Sequence, residues 1–79
     1  MKVLFFAQSR IITGCESCVL PTEADLTQPE LWSRLIERFP GLAAQRQGTR
    51  LARSESYLEA ADVLHPEDEV AVIPPVSGG

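Results

Sequence analysis

Two cysteines, Cys15 and Cys18, form the first pattern in the sequence that could carry chemistry. The stretch CESC is a C-x-x-C pair, which can supply half of a zinc site or a dithiol redox centre. Zinc needs further ligands, and the other soft ligand, His65, lies far along the chain. A redox pair normally opens a helix, whose N-terminus lowers the thiol pKa, whereas this pair enters a strand-like run. We therefore predict two reduced thiols without a shared function and no metal site.

The other side chains that could act as acids, bases or nucleophiles are scattered. His65 precedes Pro66 in a predicted turn, which favours a solvated histidine. The serines lack a nearby base or a nucleophile-elbow pattern. The acidic residues of the second half indicate a solvated face; they are Glu55, Glu59, Asp62, Glu67, Asp68 and Glu69. We accordingly expect no turnover by this chain alone.

The C-terminal stretch is the strongest candidate for a functional element. It consists of Pro74, Pro75, Val76, Ser77, Gly78 and Gly79. The two prolines cannot donate to a sheet and favour an extended path, so the preceding strand must end there and the chain must leave the body. An extended segment of this length reaches about 20 Å, and its glycines let another backbone or a nucleotide approach closely. We predict a flexible tail, residues 74–79, that threads a narrow channel in another protein.

A terminal carboxylate at Gly79 is inert toward substitution, because oxide is a poor leaving group. Conversion to an acyl adenylate supplies a good leaving group, and sulfide or an amine can then attack the carbonyl carbon. This chemistry needs an activating enzyme, so the tail is expected to act inside the active sites of other proteins.

The composition limits the classes of partner. The 79 residues indicate one domain, and the net charge of −4 with no Lys/Arg cluster argues against nucleic acid. An acidic domain suits docking on a basic protein surface. No stretch is long enough to cross a membrane, and the apolar run 3–7 is too short for a signal peptide, so we expect a cytosolic protein.

The elements that must position the tail follow from periodicity. The runs KVLFFA (2–7) and EVAVIP (69–74) are apolar on both faces, which predicts adjacent central strands covered on each side. ESCVLP (16–21) is expected to form a hairpin with the first strand through the turn residue Gly14. Residues 49–59 read as one or two short strands with a turn at 54–56, and 66–69 as a tight turn.

One amphipathic helix is predicted after Thr27. Thr27 and Glu30 form a capping box, Pro29 lies in the first turn, and Pro40 and Gly41 end the helix. Its apolar stripe comprises Leu31, Trp32, Leu35, Ile36 and Phe39. The element order predicts an α+β fold for residues 1–73, with a mixed sheet and one main helix packed on one face.

Three segments carry a resemblance to a known family. DEVAVIPPVSGG, KVLFFAQSRIITG and LWSRLIERFPGL resemble the C-terminus, the first strand with its loop, and the helix of the small, sulfur-carrying subunits of molybdopterin synthase (the MoaD family). The resemblance covers nearly the whole chain and is weakest over residues 45–64. It implies the ubiquitin-like β-grasp fold.

The resemblance also implies a mechanism. Gly79 would be adenylated by an E1-like activating enzyme, which uses ATP, and converted to a thiocarboxylate. The tail would then enter the large synthase subunit, in a heterotetramer of two small and two large subunits, and pass sulfur to cyclic pyranopterin monophosphate. Family interface positions correspond to Phe6, Arg10 and Ile73. The resemblance implies no cofactor bound by the chain itself, and CESC is not part of the family pattern.

Other functions remain open at this point. The same fold serves sulfur carriers for thiamine synthesis or tRNA thiolation, and modifiers that are joined to lysines. The Pro-Pro stem favours the molybdopterin branch. A redox or metal module that uses Cys15 and Cys18 is the alternative from a different class.

Overall fold

The computed structural model describes residues 1–75 and shows a five-stranded sheet with two α-helices and a 3₁₀ helix. The elements in chain order are β1 Lys2–Phe5, α1 Gln8–Thr13, β2 Ser17–Val19, α2 Gln28–Arg38, the 3₁₀ helix Pro40–Gln45, β3 Arg50–Arg53, β4 Ser56–Tyr57 and β5 Glu69–Ile73.

The first and last strands lie side by side at the sheet centre, which confirms the prediction from their apolar character. The strand order is β2-β1-β5-β3-β4. Strands β1 and β5 pair in parallel, with Val3 opposite Val70, and the remaining pairs are antiparallel. The sheet is therefore mixed, and the α+β class is confirmed.

The core lies on one face of this sheet. Val3, Phe5, Val70 and Val72 are fully buried, because alternate residues of a strand point to the same face. They belong to one apolar cluster with Leu31, Trp32 and Leu35 of α2. The ring of Phe39, just beyond this helix, meets the ring of Phe5 edge to face at 5.5 Å. The predicted helix thus covers one face of the sheet.

The predicted start of α2 is confirmed in its hydrogen bonds. The Glu30 backbone N–H donates to the Thr27 hydroxyl at 3.3 Å, and the Thr27 backbone N–H donates to the Glu30 carboxylate at 2.9 Å. These two bonds satisfy N–H groups that a helix start otherwise leaves without partners. The bond that the Thr27 backbone N–H donates to the carboxylate also lowers the pKa of Glu30, since it favours the charged form.

The connection between β1 and β2 differs from the expected plain hairpin. The two strands pair antiparallel as predicted, with Val3 opposite Cys18, but the segment between them contains α1. Gly14 ends this helix in the left-handed conformation, with φ of 73°. Helix α2 ends before Pro40, as predicted, and Pro40 and Gly41 begin a 3₁₀ helix that the sequence did not predict.

The expectation that the central strands are covered on both faces is wrong for the described residues. No helix of residues 1–75 lies over the second face, where Leu4, Ala71 and Ile73 are only half-buried. Their apolar side chains line an open groove instead of a second core layer. The apolar run therefore correctly predicted the central position of the strands but not a second covering layer.

No helix among residues 1–75 is both long and apolar enough to cross a bilayer.

Candidate functional site: the open sheet face and the root of the tail

The open face is built by strand pairing. Leu4 of β1, Ala71 of β5 and Ala52 of β3 stand opposite one another in the ladder, so their side chains point to the same side. Tyr57 of β4 continues this row, because it pairs with Ala52. We name this surface the sheet groove; its lining residues are Leu4, Phe6, Ala52, Ser54, Glu55, Tyr57, Glu69, Ala71 and Ile73.

The tail leaves from one end of the sheet groove. Ile73 is the last residue of β5, and Pro74, which follows it, is buried. We name Pro74 and Pro75 the tail root. A Cβ placed on Gly48 would lie 3.6 Å from the Pro75 side chain, so the loop before β3 lies against the tail root. Ala7, Gln8 and Ile11 line the other side of the two prolines. The chain thus passes between two walls before residue 76.

The structure brings together the three residues that the resemblance singled out. Phe6 is 41% exposed and lines the sheet groove together with Ile73. The Arg10 guanidinium lies 6.0 Å from the centroid of the Phe6 ring, and its Nε donates to the Phe5 carbonyl at 3.4 Å. Arg10 also lies 3.8 Å from Glu16. Their role in binding a partner stays a prediction.

Sequence reasoning missed Tyr57 and Arg50. Tyr57 is 51% exposed, and the Arg50 guanidinium lies 4.0 Å from the centroid of its ring. This pair stands beside Ile73, because Arg50 is opposite Ile73 in the ladder. The sequence alone carried no signal for this pair, because its place beside Ile73 depends on the strand order β5-β3-β4.

The two cysteines lie as the sequence suggested, after Gly14 and at the entry to β2. Neither is in a disulfide, and Cys18 is buried while Cys15 is half-buried. Burial raises the pKa of the Cys18 thiol, which disfavours the thiolate that redox and metal chemistry need. Among residues 1–75 no group of three or more His, Cys, Asp or Glu side chains is arranged to hold a metal ion.

His65 is exposed as predicted, but it is not simply a solvated side chain. Its Nδ1 lies 3.0 Å from a carboxylate oxygen of Asp25. This hydrogen bond and the negative charge of Asp25 raise the pKa of His65. The contact stands next to the bridge between Leu26 and Leu64, so it joins the loop before α2 to the loop before β5.

Asp68 is a correction to the prediction of a uniformly solvated acidic face. Its Oδ2 accepts hydrogen bonds from Arg53 Nη1 and from the His65 backbone N–H, each at 2.8 Å. Burial raises the pKa of this carboxyl group, but the two hydrogen bonds and the Arg53 charge outweigh burial and lower it. Asp68 therefore holds the turn before β5 and has a structural role.

The distal part of the tail lies outside the described residues. This applies to Val76, Ser77, Gly78 and Gly79. Pro74 and Pro75 are described, and they continue β5 directly.

Known proteins resemble this chain both in sequence and in fold. The profile of the ThiS family matches residues 3–79. The molybdopterin synthase sulfur carrier subunit of Homo sapiens is 42% identical over 82 aligned residues, which cover 100% of this chain and 93% of the human protein. The subunit of the same name from Arabidopsis thaliana is 35% identical and covers 100% and 82%.

The crystal structure of SAMP1, a small archaeal modifier protein of Haloferax volcanii, superposes with a TM-score of 0.81 at 21% identity, covering 100% of this chain and 98% of that chain. This likeness confirms the ubiquitin-like β-grasp fold. From the family match and the full-length relatives, the chain belongs to the ThiS family, together with the proteins named molybdopterin synthase sulfur carrier subunit.

Proposed function

We propose that this chain is the sulfur-carrier subunit of a molybdopterin synthase and that Gly79 carries the sulfur as a thiocarboxylate. One observation supports this most directly: β5 continues into the tail root at Pro74 and Pro75, beside an open apolar face. A partner that binds the sheet groove therefore receives the tail at a fixed place. The names of the full-length relatives agree with this role.

The proposed reaction cycle begins with the Gly79 carboxylate and ends by restoring it. A carboxylate oxygen attacks the α-phosphorus of ATP, pyrophosphate leaves, and an acyl adenylate forms. A sulfide-level sulfur nucleophile then attacks the carbonyl carbon and displaces AMP, which leaves a thiocarboxylate. In the synthase, this sulfur attacks a carbon of the pterin precursor and displaces an oxygen leaving group from it. Water then cleaves the resulting thioester, which leaves the sulfur on the pterin and restores the Gly79 carboxylate.

Two partners follow from this cycle. An E1-like activating enzyme binds ATP and performs the adenylation, so the chain itself needs no nucleotide site or other cofactor. The large synthase subunit holds cyclic pyranopterin monophosphate, and two sulfur atoms are needed for each dithiolene. A heterotetramer of two small and two large subunits fits that demand. We place the cycle in the cytosol, where thiols are kept reduced.

In this proposal the chain is a protein-bound cosubstrate rather than a catalyst. Within residues 1–75, the thiols, His65 and the carboxylates do not converge on one site. The test is reconstitution of the purified large subunit with thiocarboxylated carrier and the pterin precursor. We expect product in proportion to the carrier supplied, and none from carrier with a plain carboxylate. Many turnovers per carrier without resulfuration would contradict the proposal.

The runner-up functions share the tail chemistry and differ in the recipient. They are a sulfur carrier for thiamine synthesis or tRNA thiolation, and a modifier joined to lysine side chains. The discriminating observation is the stable partner that co-purifies with the chain. The molybdopterin role predicts a large synthase subunit, whereas a modifier would be recovered in covalent conjugates through Gly79.

A further inference from the structure

The charges around the sheet groove are not evenly distributed. At one end, where β5 begins, the carboxylates of Glu69 and Glu55 line the groove. Glu69 lies 3.8 Å from Lys2, so part of that negative charge is compensated. At the other end, where the tail leaves, stand the guanidinium groups of Arg10 and Arg50, with the Glu16 carboxylate beside Arg10.

The two arginines differ in their partners. Arg10 lies 3.8 Å from the Glu16 carboxylate, while Arg50 makes no ion pair with any of residues 1–75. Within this described part of the chain, whose full sequence has a net charge of −4, Arg50 is therefore an uncompensated cation. It stands opposite Ile73 in the ladder, and with Tyr57 it lines the tail root at Pro74 and Pro75.

The contact with Tyr57 restricts the orientation of this guanidinium. A separation of 4.0 Å from the ring centroid is a stacking distance, and stacking leaves the N–H groups at the guanidinium edge free to donate. A guanidinium held in this way can bind a carboxylate with two parallel hydrogen bonds and loses little side-chain entropy when it does so. Exposed Arg and Tyr side chains beside an apolar groove are also the residue types that dominate binding energy at interfaces.

We propose that Arg50, stacked on Tyr57, is a specificity-determining residue for the protein that receives the tail. The partner presents an apolar ridge to the sheet groove, a carboxylate to Arg50 at the tail end, and a basic side chain to Glu55 at the far end. This charge order fixes the direction in which the ridge lies, so the tail root faces the partner's channel and not its outer surface. The inference rests on the proposed function, because the partner is the large synthase subunit.

The test is the affinity of the purified large subunit for the full chain, measured by titration calorimetry at low and at high salt. Arg50→Glu should weaken binding at least about tenfold at low salt, because it places a carboxylate against a carboxylate. Glu55→Lys should also weaken it. Arg34→Glu is the matched control: it makes the same change in charge at an exposed position of α2, the helix that packs on the opposite face of the sheet. It should leave the affinity within about twofold of the unaltered chain.

Thermal denaturation of each variant shows whether the fold is kept. If Arg50→Glu does not fold, Arg50→Gln removes the charge without adding an opposite one and should still weaken binding. Equal losses for Arg50→Glu and Arg34→Glu, or tighter binding by Glu55→Lys, would overturn the inference and leave the proposed function standing. A complete lack of binding by the unaltered chain would overturn the proposed function, and this inference with it.

Discussion

The Nδ1 atom of His65 lies 3.0 Å from the Oδ1 atom of Asp25, across 40 positions of sequence. The contact joins the two loops that flank the bridge between Leu26 and Leu64. Because the partner is a carboxylate, the pKa of His65 is raised in the folded chain. A raised pKa in the folded state makes the stabilising contribution depend on pH in a definite direction.

This contribution is complete at pH values below the unfolded pKa of histidine, about 6.5, and is lost as the pH rises through the raised folded pKa. Replacement by His65→Gln should therefore lower the melting temperature more at about pH 5 than at about pH 9. Asp25→Asn is the matched control. In a chain that carries it, His65→Gln should lower the melting temperature to the same extent at both pH values. Parallel profiles for the variant and the unaltered chain would show that the contact does not couple protonation to stability.

Gly41 should not tolerate a side chain. A Cβ at this position would lie 2.8 Å from the Cγ2 atom of Ile12, a distance that real Cβ atoms essentially never show. Gly41→Ala should cost about 1–3 kcal/mol in the free energy of unfolding, because α1 or the 3₁₀ helix must shift. In the double variant with Ile12→Ala the added cost of Gly41→Ala should shrink, since the clashing methyl group is gone. Strict additivity in denaturant titrations would contradict this account.

Phe5 and Phe6 are neighbours with opposite expected roles. Phe5 is 0% exposed and Phe6 is 41% exposed, because successive side chains point to opposite faces. Phe6→Ala should weaken association with the large subunit by about 1–3 kcal/mol and keep the circular dichroism spectrum. Phe5→Ala should instead lower the free energy of unfolding by about 3–5 kcal/mol. If Phe6→Ala unfolded the chain, Phe6 would belong to the core and its assignment to the interface would be wrong.

Much of this architecture could be predicted from local signals. The capping box at Thr27 and Glu30 located the start of α2, and the doubly apolar runs located the two central strands. Helix α1 was not predictable in the same way, since six residues are too few for an amphipathic period. Its position depends on contacts distant in sequence, such as the close approach of Ile12 to Gly41.

The candidate site likewise has one part that the sequence predicts and one part that it does not. The tail, residues 74–79, is predicted from residue types alone, because proline and glycine impose their conformational preferences locally; this stays a prediction for residues 76–79, which lie outside the described part of the chain. The sheet groove needed the strand order, since Tyr57, Ala52 and Leu4 come together only through pairing. A run that is apolar on both faces does not reveal whether the second face is covered within the chain or left open to a partner.

If the tail passes through narrow channels in its partners, a bulky side chain at residue 78 should obstruct that passage. Gly78→Val adds a β-branched side chain and penalises positive φ, so passage into the activating and synthase sites should be obstructed. We expect slower thiocarboxylate formation with an unchanged melting temperature. Ser77→Ala, a change at the neighbouring position that adds no bulk, is the control. Normal rates for Gly78→Val would show that the channel is wide.

The most direct test of the central claim is the intact mass of the chain after incubation with the activating enzyme, ATP and a sulfur donor. We predict that one oxygen is replaced by sulfur and that fragmentation assigns the change to Gly79. A chain that lacks Gly79, or that is extended beyond it, should remain unmodified with the same melting temperature. A persulfide on Cys15 or Cys18 with Gly79 unchanged would contradict the account, because the sulfur carrier would then be a thiol.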